Sequence, residues 1–159
     1  MSIQIGDSIP NIELRVMGAE GPEPVQTADL FAGKKVVLFA VPGAFTPGCS
    51  KTHLPGFVVK ADEIKAKGVD SIICTAVNDV FVMDAWGSST GATEAGITML
   101  GDAGAAFTKA MGRDFSAPAV GLVNRSKRYE LYAEEGAGKV LPREEAPGVS
   151  RTWGPACML

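Results

Sequence analysis

The run Lys35-Val36-Val37-Leu38-Phe39-Ala40-Val41 constrains this chain more than any other segment. It lies between Gly33 and Pro42 and is rich in β-branched and aromatic side chains with no polar alternation. Such a run reads as a central strand buried on both faces, so the fold must supply a layer on each side of it. Directly after it comes Val41 to Phe57, VPGAFTPGCSKTHLPGF, in which prolines and glycines crowd about one cysteine, Cys49.

The rest of the chain supplies the layers. The first thirty residues mix short alternating pieces with turns and predict a small hairpin leading into the domain. From Cys49 to about Lys67 the apolar and charged positions recur at helical spacing, with a kink expected at Pro55-Gly56 and an end at Gly68. Val69–Val77 predicts a strand, Asp79–Trp86 a short helix, Ile97–Leu100 a strand and Ala103–Met111 a helix. Ala119–Asn124 and Lys127–Ala133 read as an antiparallel hairpin turning at Arg125-Ser126. Parallel βαβ units followed by a hairpin predict an α/β fold with a mixed central sheet and helices on both faces, for which a thioredoxin-like arrangement is the simplest solution. No repeat or linker divides residues 1–159, so a single domain is expected.

Composition narrows the function. With 46% apolar and 21% charged residues the chain can bury a sizeable core. A net charge of −3 with scattered basic residues argues against nucleic acid and anionic membrane as partners. No apolar run reaches the length of a membrane span, and Met1–Pro10 lacks the regions of a signal peptide, so a soluble, cytoplasmic protein is expected, an organellar mature form remaining open. Cys49, Cys74 and Cys157 are three widely spaced cysteines, which suits a reducing compartment better than a disulfide framework. His53 is the only histidine and no cysteine pair has zinc spacing, so no metal site is expected.

Cys49 carries the chemistry. A strand, a glycine-containing loop and a helix in succession place the first helical residues at the carboxyl edge of the sheet, where α/β folds hold their sites. There the unpaired N–H groups and positive end of the helix can lower a thiol pKa into the range of about 3.5 to 7.5 and make a thiolate. The bland alternative is a small buried apolar residue, as most free cysteines are. A cysteine phosphatase would need an arginine soon after the cysteine, and Ser50–Gly56 has none; a disulfide oxidoreductase would need a second cysteine at Thr52.

Pro42-x-x-x-Thr46-x-x-Cys49 resembles the peroxidatic motif of the peroxiredoxins, and the longer VPGAFTPGCSKTHLPGF is similar to their type II, or peroxiredoxin 5-like, branch. The resemblance runs from about Ile5 to Gly138 through GDSIP, VNDVFVMDAW and SKRYELYAEEG. It implies a thioredoxin-like fold and a thiol-dependent peroxidase that reduces hydrogen peroxide and small organic hydroperoxides without metal, haem or flavin. It also implies roles: Cys49 attacks the peroxide and becomes a sulfenic acid, Thr46 and the backbone N–H groups of Gly48 and Cys49 hold the peroxide oxygens, and Pro42 shields the sulfur. Arg128, on residue type alone a surface arginine clustered with Arg125 and Lys127, matches the arginine that this family brings from a late strand, with Arg125 second. Glutathione with glutaredoxin, or thioredoxin, would be the reductant, and a homodimer is implied, with aromatics such as Phe45 and Trp86 at its interface; on residue type alone both are core candidates.

Other residues read more plainly. His53 serves packing or hydrogen bonding, since a helix-end thiolate needs no base. Cys74, in SIICTAV, reads as core, although the branch often has a second cysteine there with a proposed resolving role. Cys157 sits in LPREEAPGVSRTWGPACML, which departs from the terminal helix of the branch and carries no clear resolving motif. The rival to an enzyme is a noncatalytic thioredoxin-fold redox sensor or chaperone-like binder that uses Cys49 as a switch.

Overall fold

The computed structural model describes residues 3–4, 6–47, 49–50 and 54–140, with only the backbone described for 138–140. The predicted central strand is β3 (Lys35–Ala40), and its alternation feeds two cores. Val36, Leu38 and Ala40 enter one, while Val37, Phe39 and the following Val41 enter the other. That two-sided burial is why the run lacks polar residues.

Around β3 lie β1 (Glu13–Gly18), β2 (Gly21–Gln26), β4 (Ser71–Ala76), β5 (Ile97–Gly101), β8 (Tyr129–Glu134) and β9 (Ala137–Val140), in the order β2-β1-β5-β4-β3-β8-β9. Strands β3, β4 and β5 are parallel and the other pairs antiparallel, so the sheet is mixed as expected. The helices are α1 (Thr27–Phe31), α2 (Leu54–Ala66), α3 (Val80–Thr90) and α4 (Ala106–Ala110). Phe57 and Ile64 of α2 and Met83 and Trp86 of α3 fill one core; Phe31 of α1 and Phe107 of α4 fill the other. Helices therefore cover both faces. The Phe39 and Phe57 rings stack with centroids 4.0 Å apart and anchor α2 to β3; truncating a phenylalanine so buried costs on the order of 3–5 kcal/mol.

Local signals set the helix ends. Asp79 caps α3, its side chain accepting from Val82 N at 2.9 Å, and Gly91 ends it in the left-handed conformation. The helix passes the predicted end at Trp86 by one turn, where the Ser89 and Thr90 hydroxyls donate to the Trp86 carbonyl. Pro55 and Gly56, where the interruption is expected, stand in the first turn of the continuous described helix Leu54–Ala66, where a missing N–H breaks no bond within it. The early hairpin, β1–β2, does not merely lead into the sheet: it becomes its edge through Arg15 opposite Gly101.

One expectation is overturned. Ala119–Asn124 and Lys127–Ala133 do not form a hairpin. Strand β7 (Leu122–Ser126) pairs with β6 (Asp114–Ala117) in a separate two-stranded ribbon, while β8 joins β3. Ser126–Arg128 crosses from ribbon to sheet, held by Lys127 N donating to the Arg113 carbonyl at 2.7 Å. The tight turn lies later, at Glu135 (φ +51°) and Gly136 (φ +80°), the paired positive angles that join β8 to β9.

Candidate active site

The loop after β3 leads straight into a helical turn. Ser50 N donates to the Thr46 carbonyl at 2.9 Å, so Thr46 stands where a helix N-cap stands and Pro47 takes the first helical position, which suits a residue with fixed φ and no N–H. Cys49 then falls in the first turn, where backbone donors have no partner inside a helix. Cys49 and Ser50 lie in wide, π-type turns, a geometry that recurs at functional sites. The Thr46 hydroxyl donates to the Gly43 carbonyl at 2.6 Å, leaving its oxygen lone pairs for another donor. Phe45 has φ +63°, a strained conformation for a phenylalanine that costs on the order of 1–3 kcal/mol and persists only where neighbours hold it.

Cys49 is 1% exposed and belongs to the core that covers the α2 and α3 face. Arg128 Nη2 donates to its Sγ at 3.3 Å across 79 residues of sequence. The alternation at the start of β8 explains the reach: Tyr129 turns into the opposite core, with the Arg113 guanidinium 5.7 Å from its ring centre, so Arg128 faces Cys49. Both arginines are buried. Glu130, also buried, shares that face of β8 two residues on.

Supports converge from elsewhere. Trp86 Nε1 donates to Ser50 Oγ at 3.0 Å, tying the residue after Cys49 to α3. Trp86 is fully buried, so its core reading holds and the interface option that the resemblance added does not apply to its side chain. Phe45 goes the other way, being 56% exposed and no core residue. Arg125 does not reach the sulfur: its Nη1 donates to the Val77 carbonyl at 3.0 Å. Pro42 is half-buried at the start of the loop. Cys74 is buried in β4 in the same core as Cys49, as the plain reading had it. Burial, and secondarily the nearby Cys49, push its thiol well above the usual range. Gly48, His53 and Cys157 lie outside the described residues, as does the tail 141–159.

Sequence reasoning left Ser50, Asn78 and Glu130 without roles. Asn78 had a signal, since it follows β4 at the same carboxyl edge as Cys49. So had Glu130, a carboxylate inside the apolar strand YELYA. Among the described residues no group of three or more acidic, cysteine or histidine side chains could hold a metal, and no helix is long and apolar enough to cross a membrane.

A mixed sheet flanked by helices, with a buried cysteine in a first helical turn and an arginine on its sulfur, defines a thioredoxin-like thiol protein. The redoxin family profile matches residues 4–154. The chain belongs to that family, in its type II peroxiredoxin branch. It is 49% identical over 148 residues to "Peroxiredoxin-2E-2, chloroplastic" of Oryza sativa subsp. japonica, covering 91% of this chain and 66% of that protein, so it spans about two thirds of that relative's length. The crystal structure of reduced Prx3 from Vibrio vulnificus in complex with H2O2 superposes with a TM-score of 0.91 at 45% identity, covering 98% of this chain and 96% of that one. Peroxiredoxin 5 from Alvinella pompejana gives 0.80 at 34% identity, covering 93% and 92%. Peroxiredoxins are thiol peroxidases, which are oxidoreductases.

Proposed function

We propose that this protein reduces hydrogen peroxide and small organic hydroperoxides through Cys49. The observation that carries the reading is the 3.3 Å contact from Arg128 to the buried Cys49 sulfur. The Cys49 thiolate attacks one peroxide oxygen, the O–O bond breaks, and the electron pair leaves with the other oxygen, which takes up a proton as water or alcohol. Cys49 becomes a sulfenic acid. Arg128 stabilises the thiolate and the departing oxygen, Thr46 and the backbone N–H groups of Gly48 and Cys49 hold the peroxide, and Pro42 screens the sulfur from water. A Vibrio vulnificus relative of the same fold was crystallised with H2O2, which supports the substrate class. Three cysteines without a disulfide framework favour a reducing compartment, in the cytoplasm or inside an organelle.

Recycling uses an external thiol, glutathione with glutaredoxin or thioredoxin. Glutathione condenses with the sulfenic acid to a mixed disulfide and water, and a second thiol releases Cys49 and forms a new disulfide. Burial and raised thiol basicity make Cys74 a poor resolving nucleophile. Cys74→Ser and Cys157→Ser, singly and together, are therefore expected to keep most of the glutaredoxin-supported activity, with glutathione on Cys49 by intact-mass analysis. A Cys49–Cys74 or Cys49–Cys157 disulfide whose loss ends turnover would refute external resolution. Sulfenic acid formation with no turnover under any reductant would favour the sensor reading.

The exposed Phe45 and Phe81 near the site suit a symmetric homodimer, the commonest soluble assembly. Sedimentation is expected to show a dimer at micromolar concentration that Phe45→Glu converts to monomer; monomer alone in reduced and oxidised parent protein would overturn this assembly.

A further inference from the structure

The loop 42–46 is gripped from two other parts of the chain, and Gly43 is where the grips meet. A Cβ built on this buried glycine would stand 3.2 Å from Arg125 Nη1, 3.2 Å from Thr46 Cγ2 and 3.9 Å from Asn78 Oδ1. A guanidinium, a threonine methyl and an amide oxygen thus pack around the one residue that leaves them room. The bonds form a relay. Arg125 Nη1 donates to the Val77 carbonyl at 3.0 Å. Asn78 Oδ1, one residue on, accepts from Ala44 N at 2.9 Å. The Gly43 carbonyl accepts from the Thr46 hydroxyl at 2.6 Å.

The platform beneath Asn78 is equally close-fitting, since a Cβ on Gly101 at the end of β5 would lie 2.9 Å from Val80 N and 3.1 Å from the Asn78 carbonyl oxygen. On the far side, Phe45 sits at φ +63°, a conformation that relaxes unless its neighbours hold it. The ribbon strand β7 explains why Arg125 is available: its register with β6 sets Arg125 opposite Phe115, so the ribbon presents this side chain to the Val77 loop while the crossing segment delivers Arg128 to the sulfur.

We propose that Arg125, acting through Val77, Asn78 and Gly43, is the positioning residue of the Thr46 loop. It fixes where the Thr46 hydroxyl stands relative to Cys49, whereas Arg128 acts on the sulfur. The kinetic consequence rests on the peroxidase reading; the mechanical one does not. Misplacing a reacting group by about 1 Å can slow a reaction by about 10²-fold, so a loop held less firmly slows oxidation without altering the sulfur's own ionisation.

The test uses Arg125→Ala, Asn78→Ala and the double variant. Stopped-flow oxidation by H2O2 is expected to slow by about 10- to 100-fold in each single variant, with the double no slower than about the slower single, because both remove one grip. Alkylation of Cys49 by iodoacetamide at pH 7 is expected to stay within about two-fold of the parent rate, unlike in Arg128→Ala. Arg125→Lys, able to make one bond to the Val77 carbonyl, is expected to recover part of the rate. Amide exchange at Ala44 in Arg125→Ala is expected to be faster than in the parent. Oxidation at the parent rate, multiplying single effects, or alkylation slowed as in Arg128→Ala would overturn the positioning role. Should the parent itself consume no peroxide, the functional reading fails, and the Ala44 amide still decides: faster exchange in Arg125→Ala upholds the grip and unchanged exchange removes it.

Discussion

Cys49→Ser is expected to reduce hydroperoxide consumption to less than about a thousandth of the parent rate, because the reaction needs an ionised nucleophile at neutral pH and a serine hydroxyl supplies none. No described side chain is seen accepting a proton from position 49; the contact there is a cation donating to sulfur. A cation stabilises an anion already formed, and only a thiol can present one at this pH. The substitution is nearly isosteric within the core, so a melting temperature close to the parent would separate lost chemistry from lost fold. Stopped-flow measurement of the first, peroxide-consuming step is the decisive assay. An unimpaired first step in Cys49→Ser would move the reaction to another residue and sink the proposed function.

Arg128→Ala is expected to slow the same step by about 10²- to 10³-fold, the usual loss when one preorganised donor is removed from a site where charge shifts. Two effects combine. The thiolate loses its neighbouring cation, so iodoacetamide alkylation of Cys49 at pH 7 falls, and the departing peroxide oxygen loses a donor. Arg128→Lys tells them apart: a lysine keeps the charge but not the planar fork, so alkylation recovers further than peroxide reduction. Arg128→Met, which keeps most of the buried volume, controls for packing, and it is expected to behave as alanine does. Arg125→Ala must be the milder of the two, since its guanidinium bonds the Val77 carbonyl and not the sulfur. Equal losses in oxidation and alkylation from both would mean that sequence neighbours in one basic cluster act alike.

Much of the site was legible because its parts are local. Val36 to Val41 had to be a strand buried on both faces, and the helical spacing that starts at Cys49 after a loop of prolines and glycines had to begin a helix. Those two facts put Cys49 in a first turn at the carboxyl edge of the sheet. The peroxidatic motif added the reading of Thr46 and Arg128. The hairpin predicted at Arg125-Ser126 failed for a different reason. Two apolar pieces separated by a polar pair look alike whether the chain turns back or crosses over, and strand partners are chosen by distant surfaces. Strand β8 finds β3 because Leu131 faces Leu38 and Tyr129 faces Ala40, residues some ninety positions apart. Trp86 left both a core and an interface reading open because an aromatic in a helix does not reveal its face until the helix is docked.

The sequence alone determined the class of fold and the helical turn that carries Cys49, since each depends on backbone preferences acting within a few residues. Only the tertiary structure decided which arginine meets that sulfur, that Trp86 and Ser50 bond across α3, and that Arg125 and Asn78 grip the Thr46 loop at Gly43. Each of these depends on sheet register and on the two-residue alternation of β8. A shift of one residue there would send Arg128 into the opposite core and turn Tyr129 toward Cys49, with no change in local propensity to report it.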